Sequence, residues 1–319
     1  MKKLDINYSG LQLIILAVVL ILLFGAASLL APNFVSSYNM TIIARTLAFL
    51  GFVTLGQALL MLLGELDLSL GAIGGVCGVI SGMLMVNYGI DPWLAMPAAI
   101  AMGAIFGLIN GLFVVLFNLP SLVLTIAMAG VYSGINLVLT QGTAVTGIPR
   151  EIQFLGRGEF MGLPVPFIIM IGLMIVITVL AHRTPFGRYI YTVGDNTPAA
   201  RMLGVAVDKV RVLIFVIAGA LAAVAGVLMV ARLGTAQPSI GDSWVLPSIA
   251  AAVIGGVPTT GGIGSPFGAI LGAAIIGIIQ NAIVLYGISP YWQGVVSGAI
   301  VVIAISLDAI SRRYFLGRG

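Results

Sequence analysis

Charge is the scarcest resource in this chain: 319 residues carry ten acidic and 14 basic side chains, about 8% of the total, where soluble domains carry roughly 25%. There is one cysteine and one histidine. Cys77 has no partner for an intrachain disulfide, and with His182 about a hundred residues away the two cannot build a metal site. No lysine follows a glycine, so the chain has no G-x-x-x-x-G-K-[ST] loop and no Walker-type ATP site. A Ser-His-Asp triad would have to use His182, which sits at the edge of an apolar run where solvation is the simpler role. No catalytic residue, metal ligand or resident cofactor is therefore expected. Alternation of polar and apolar residues is missing too, which excludes an outer-membrane barrel.

What is present is apolar: 60% of the residues are hydrophobic, in unbroken runs rich in Leu, Ile, Ala and Gly. Helices are the remaining way to cross a bilayer, because every backbone polar group must be satisfied internally. At roughly 20 residues per crossing, the sequence predicts an all-α membrane protein, one membrane-spanning domain over residues 1–319. It has about ten spans: Leu11–Leu30, Ile42–Leu63, Leu70–Val86, Trp93–Phe117, Leu122–Leu139, Val165–Ala181, Val212–Ala231, Val245–Val257, Phe267–Leu285 and Trp292–Ile310. The first run is longer than the 7–15-residue core of a secretory signal and reads as a span. Residues 245–257 are too few to cross comfortably and read as a half-helix or re-entrant segment. Five spans precede the 141–164 loop and five follow it. Halves of about 11–140 and 165–311 would then be inverted in topology, a plan common among transporters.

Charge placement orients the chain. With the N-terminus in the cytoplasm, Lys2, Lys3, Arg183, Arg188, Arg201, Lys209, Arg211, Arg312, Arg313 and Arg318 fall inside, and only Arg45, Arg150, Arg157 and Arg232 fall outside. The positive-inside rule then places both termini in the cytoplasm.

The charge that remains is concentrated. Residues 182–211 hold Arg183, Arg188, Asp195, Arg201, Asp208, Lys209 and Arg211 in a polar island on the cytoplasmic side. Helix connections need only 2–8 residues, so 30 suggest a grip for a partner. Within the island, Thr184-Pro185-Phe186-Gly187 reads as a helix-ending turn. Gly194, Asp195, Asn196, Thr197, Pro198, Ala199, Ala200, Arg201 and Gly204 read as a short capped helix, with Asn196 or Thr197 as the cap and Gly204 as the stop. On the outer side, the Gln141–Pro164 and Arg232–Trp244 loops carry mixed charge, suited to docking a soluble protein.

Glu65 and Asp67, in GELDLSLG, are the only acids between Asp5 and Asp91. They read either as a short cytoplasmic turn, with Asp67 and Ser69 starting the next helix, or as part of a gate. Gln57, Asn110, Thr125, Asn136, Gln280 and Asn281 are the intramembrane amides and hydroxyls. Each either bonds a neighbouring helix or lines a route for solute. Their neutrality suits an uncharged, hydroxyl-rich solute better than an ion. The many glycines read first as close helix packing.

From Asn33 to Arg313 the chain resembles the permease subunits of ATP-binding-cassette importers, in the ribose, xylose and simple-sugar branch. The resemblance is carried by GELDLSLG (64–71), TPFGRYIYTVGDNTPAARMLGV (184–205), ARLGTAQPSIGDSW (231–244), AAVIGGVPTTGGIGSPFGAILGA (251–273) and YGISPYWQGVVSGAIVVIAISLD (286–308). It implies two permease chains forming the pore and two cytoplasmic ATPases that hold ATP and Mg. It also implies an extracytoplasmic binding protein that delivers a sugar-like solute, with Gly194–Gly204 as the coupling helix that seats in the ATPase. The family commonly has Gly-Ile-Asp or Gly-Val-Asp where Glu65-Leu66-Asp67 stand, and Glu-Leu-Asp before Ala-Ile-Ala where Val245-Leu246-Pro247 stand before Ser248. These departures bear on solute identity and on whether the second permease chain is a different one. Related branched-chain amino-acid permeases, an ion-coupled transporter using Glu65 and Asp67, and a non-transporting scaffold subunit are the alternatives. Nucleic acid is not an expected partner.

Overall fold

A computed structural model describes residues 8–289 and 291–315; Lys2, Lys3 and Arg318, used above for orientation, lie outside these. The described residues form thirteen α-helices: α1 (Tyr8–Leu30), α2 (Ser37–Leu62), α3 (Leu70–Val86), α4 (Pro92–Leu116), α5 (Ser121–Thr140), α6 (Gln153–Arg157), α7 (Val165–Arg183), α8 (Pro185–Asp195), α9 (Thr197–Met202), α10 (Val207–Leu233), α11 (Val245–Ile254), α12 (Pro266–Leu285) and α13 (Trp292–Phe315). Seven of them, α1, α2, α4, α5, α7, α10 and α12, are long and apolar enough to cross a membrane. The count of ten spans is not reached on that criterion, because α3 and α11 are short and the apolar stretch described in α13 is Trp292–Ile303.

The helix starts follow from local chemistry. Asp91 accepts from the Trp93 amide at 2.8 Å with Pro92 opening α4, and Ser265 accepts from the Phe267 amide at 3.2 Å with Pro266 opening α12. The side-chain oxygen satisfies an orphan amide, and proline has no amide to leave unsatisfied.

Helices α2 and α10 form the centre of the bundle. α10 packs on α2, α3 and α4, and α2 packs on α11 and α12. Helix α3 contacts α4 and α5, as α11 contacts α12 and α13. The α4–α10 crossing is backbone on backbone: a Cβ at Gly103 or Gly107 would collide with the Gly219 or Phe215 carbonyl. Ile14, Ile21, Leu22, Val123, Ile126 and Val138, on α1 and α5, are exposed apolar residues of the kind that lipid covers.

Helices α8 and α9 lie at one end of the bundle, and residues 141–164 at the other. At the latter end the all-helical expectation is modified by two short antiparallel pairings, Val145–Thr146 with Thr235–Ala236 and Glu159–Phe160 with Leu163–Pro164. Arg157 donates to the carbonyls of Arg232 and Leu233, capping α10 with a cation.

The Arg232–Trp244 stretch, read from sequence as an outer loop, instead turns back into the bundle without helical structure. Ala236 lies against Gly82, Ile240 against Gly75 and Gly241 against Gly71. Asn136 Nδ2 donates to the Pro238 carbonyl at 2.9 Å and ties this strand-like segment to α5. The buried half-helix α11 continues it toward the α9 end. The sequence reading of residues 245–257 as a half-helix therefore matches α11, and the preceding ten residues complete the passage as irregular backbone enclosed by protein.

Candidate coupling face and polar interior

At the α9 end the polar island is largely helical. Thr184 ends α7, as its sequence suggests, but the residues after it begin a new helix rather than a turn. Its hydroxyl accepts from the Gly187 amide at 3.1 Å and starts α8, an eleven-residue helix. Asn196 then caps α9, accepting from the Ala199 amide at 3.0 Å, with Pro198 in the first turn and Gly204 leaving the helix at φ +80°. Ala200 is fully buried within the chain, Ala199 is half-buried, and the apolar side chains that α9 offers outward are Met202, 90% exposed, and Leu203, 75% exposed.

Helix α8 is anchored beneath α9. A Cβ at Gly194 would overlap the Leu62 carbonyl and the Gly262 amide. Those two groups already bond each other at 2.9 Å, which joins the end of α2 to the 258–265 connection. Tyr191 donates its hydroxyl to the Gly264 carbonyl at 2.9 Å, and His182 Nε2 lies 3.2 Å from Ser265 Oγ. The Asp195 backbone abuts Gly262. The exposed Arg201–Asp208 pair, 2.8 Å apart, contributes about 1 kcal/mol at most.

Glu65 and Asp67 do not form a solvated turn: both are buried. Glu65 accepts from Arg211, with Nε at 2.8 Å, so the 63–69 connection is tied to the first turns of α10. Asp67 is not the helix cap; Ser69 occupies that position. Asp67 Oδ1 accepts from the Ser69 amide at 2.7 Å and the Ser69 hydroxyl at 2.6 Å, and Oδ2 accepts from Asn110 Nδ2 at 3.1 Å. Asn110 also donates to Ser69 Oγ at 2.8 Å and accepts from the Tyr132 hydroxyl at 2.8 Å. Thr125 Oγ1 and Ser121 Oγ accept from the amides of Leu68 and Leu66. Burial raises the Asp67 pKa, while the bonds from Ser69 and Asn110 oppose that shift. Three donors converge on its two oxygens, which suits the carboxylate form.

This network predicts a graded mutational series. Asp67→Ala strands the Ser69 amide and hydroxyl, at about 1–3 kcal/mol each, and removes one of the two acceptors of Asn110 Nδ2. Asp67→Asn keeps an acceptor for Ser69 and turns an amide toward Asn110, so it should melt between wild type and alanine. Equal melting temperatures for the two variants would contradict the donor count.

The remaining candidates separate. Asn281 exchanges hydrogen bonds with Asn39 at 2.8 and 3.1 Å across the α2–α12 contact, so it serves packing. Gln280 Nε2 reaches Ser297 Oγ at 3.3 Å at the edge of a cavity. Gln57 is fully buried in α2 with neither amide atom partnered among the described residues. Tyr132 was not singled out by sequence, and Arg211 and the Thr260–Gly264 connection were named there only within the polar island and the 251–273 stretch, with no partner assigned. A basic residue in a charged island and a tyrosine in an apolar run carry no local signal of the partners that folding gives them.

A bundle of apolar helices with a broken crossing, a buried polar network and a rigid knob at one end defines a polytopic membrane permease. The chain belongs to the branched-chain amino acid transport system / permease component family, whose profile matches residues 39–305. It is 38% identical to the ribose import permease protein RbsC of Bacillus subtilis (strain 168) over 91% of this chain and 90% of that one. Identity is 32% to the ribose import permease protein RbsC of Escherichia coli (strain K12), over 91% and 92%. The xylose transport system permease protein XylH of Haemophilus influenzae (strain ATCC 51907 / DSM 11121 / KW20 / Rd) is 28% identical over 98% of this chain and 99% of its own. The chain is a transport subunit rather than an enzyme.

Proposed function

We propose that the chain is the membrane-spanning subunit of an ATP-driven importer for a monosaccharide or related polyol. The whole chain acts as one permease domain in a bacterial inner membrane, with both termini in the cytoplasm. ATP and Mg are held by cytoplasmic ATPase subunits, a second permease chain completes the pore, and an extracytoplasmic binding protein delivers the solute at the 141–164 end. The ten crossings fall into two inverted halves. Supporting this is the exchange of partners, in which α2 packs on α11 and α12 as α10 packs on α3 and α4. The sugar assignment is supported by ribose and xylose permeases among the relatives.

The observation that carries the coupling role is α9: a six-residue helix with Met202 and Leu203 presented outward, on an α8 base wedged against α2 and the 258–265 connection. Apolar side chains on a rigid polar knob suit a cleft in a partner. Glu substitutions at Met202 and Leu203 together should detach the ATPase and reduce uptake by about tenfold or more, since two buried anchors are lost. The permease itself should still purify at wild-type yield, because neither side chain packs inside the chain. Wild-type uptake with the ATPase still co-purifying would refute the assignment. Ala200, buried in the chain's own packing, is a poor probe of docking and Ala199 only a partial one.

A further inference from the structure

We infer that the cavity of about 390 Å³ between α2, α10, α11, α12 and α13 is this chain's part of the chamber through which solute passes, and that it accepts a neutral, hydroxyl-rich molecule of pentose or hexose size. The inference rests on the sugar-importer reading.

The volume falls within the roughly 300–1,000 Å³ range of small-molecule sites. One wall is aromatic and apolar: Trp244 and Phe49 line it beside Leu246. An aromatic face suits the C–H side of a sugar ring. The lining also holds amides and hydroxyls that suit the ring's own hydroxyls. Gln280 donates to Ser297 at 3.3 Å, and Gln293 donates to the Gln280 carbonyl at 3.4 Å. Both bonds are long, and each uses one amide nitrogen. Among the described residues no hydrogen bond engages the side-chain oxygen of either glutamine, so both remain available to solute hydroxyls.

Charge at the chamber is placed at its 141–164 side. Arg232 lines the cavity with its guanidinium 5.4 Å from the Phe49 ring centroid, and Asp242 lines it from the broken segment. Asp242 also borders a second cavity of about 440 Å³, lined by Ser133, Gly142, Gln237 and Ser239. Two cavities that share one carboxylate form a sequence: a vestibule nearer the 141–164 end, then the chamber. The irregular 236–244 segment carries the shared carboxylate and is held in place by Asn136 at Pro238 and by the close approach of Ile240 and Gly241 to Gly75 and Gly71.

The test uses the complete transporter, with ATPase and binding protein, in proteoliposomes, with D-ribose, D-xylose and L-leucine as probes. Gln280→Leu and Trp244→Leu should each lower uptake of both sugars by about tenfold or more and change the ribose-to-xylose ratio at least about threefold, because hydrogen bonds to hydroxyls discriminate strongly. Gln280→Asn, which keeps the amide, should recover part of the uptake. Uptake of both sugars within about twofold of wild type in both leucine variants would overturn the chamber and leave the importer reading standing. An equal fall in both sugars with an unchanged ratio marks a packing role and also overturns it. Uptake of leucine and of neither sugar by the wild-type complex would overturn the sugar reading itself, and the ligand class assigned to the chamber with it.

Discussion

Gly194→Ala is expected to reduce uptake by about tenfold or more, although in an open helix the same change would stabilise by about 1 kcal/mol. The methyl group would enter the space occupied by the Leu62 carbonyl and the Gly262 amide. Both are backbone groups, already bonded to each other at 2.9 Å, so neither can rotate aside as a side chain would. Overpacking of this kind costs about 1–3 kcal/mol, which outweighs the gain in propensity. The cheapest relief is for α8 to lift from α2, and α9 would move with it. ATP hydrolysis should then proceed without matching solute uptake. A variant that transports normally and melts higher than wild type would show that the Leu62–Gly262 contact yields, and would remove α8 from the path of transmission. Gly204→Ala is the contrasting change: its surroundings are open, and the cost is the backbone strain of φ +80° alone, about 1–2 kcal/mol.

The second large effect is at Arg211. Its loss leaves the Glu65 carboxylate buried without a counter-charge, and breaking a buried pair from one side costs about 3–5 kcal/mol. Arg211→Ala should therefore lower the melting temperature of the purified permease sharply. Glu65→Ile combined with Arg211→Met should restore most of it, because two apolar side chains of similar volume need no partner. If the double variant is no more stable than Arg211→Ala, the guanidinium contributes through contacts other than Glu65. The pair joins α10 to the connection between α2 and α3, so an equally stable double variant with impaired uptake would assign it to transmission.

Composition alone made the helical membrane architecture legible, and Asn196, Pro198 and Gly204 delimited α9 because caps and stops act within one turn. The limits of the sequence are instructive. Residues 234–244 look like a polar loop, since Gly, Thr, Gln, Pro, Ser and Asp are loop formers; only the paired glycines at 71, 75 and 241 let such a segment enter the bundle. Glu65 was visible as an anomaly, but its partner lies 146 residues away, beyond the reach of any local pattern. The amides could not be sorted from sequence, because a glutamine that bonds a neighbouring helix and one that lines a cavity have the same letter. The connection at 258–265 looks like a flexible glycine tract, yet it is the surface on which α8 rests.

The backbone-on-backbone seam between α4 and α10 limits which parts can slide. Helices in contact through side chains can shear by rotamer changes, but Gly103 and Gly107 are set against the Gly219 and Phe215 carbonyls and the Ala223 methyl, none of which has a rotamer to change. Helix α3 is fastened to α10 in the same way, with Gly226 against Gly74. These three helices should travel as one solid piece, and α10 follows directly from α9. The seam decides what a push on α9 displaces: a whole wedge of the bundle, distinct from a second glycine seam in which Gly255, Gly268 and Gly272 join α11 to α12 backbone on backbone.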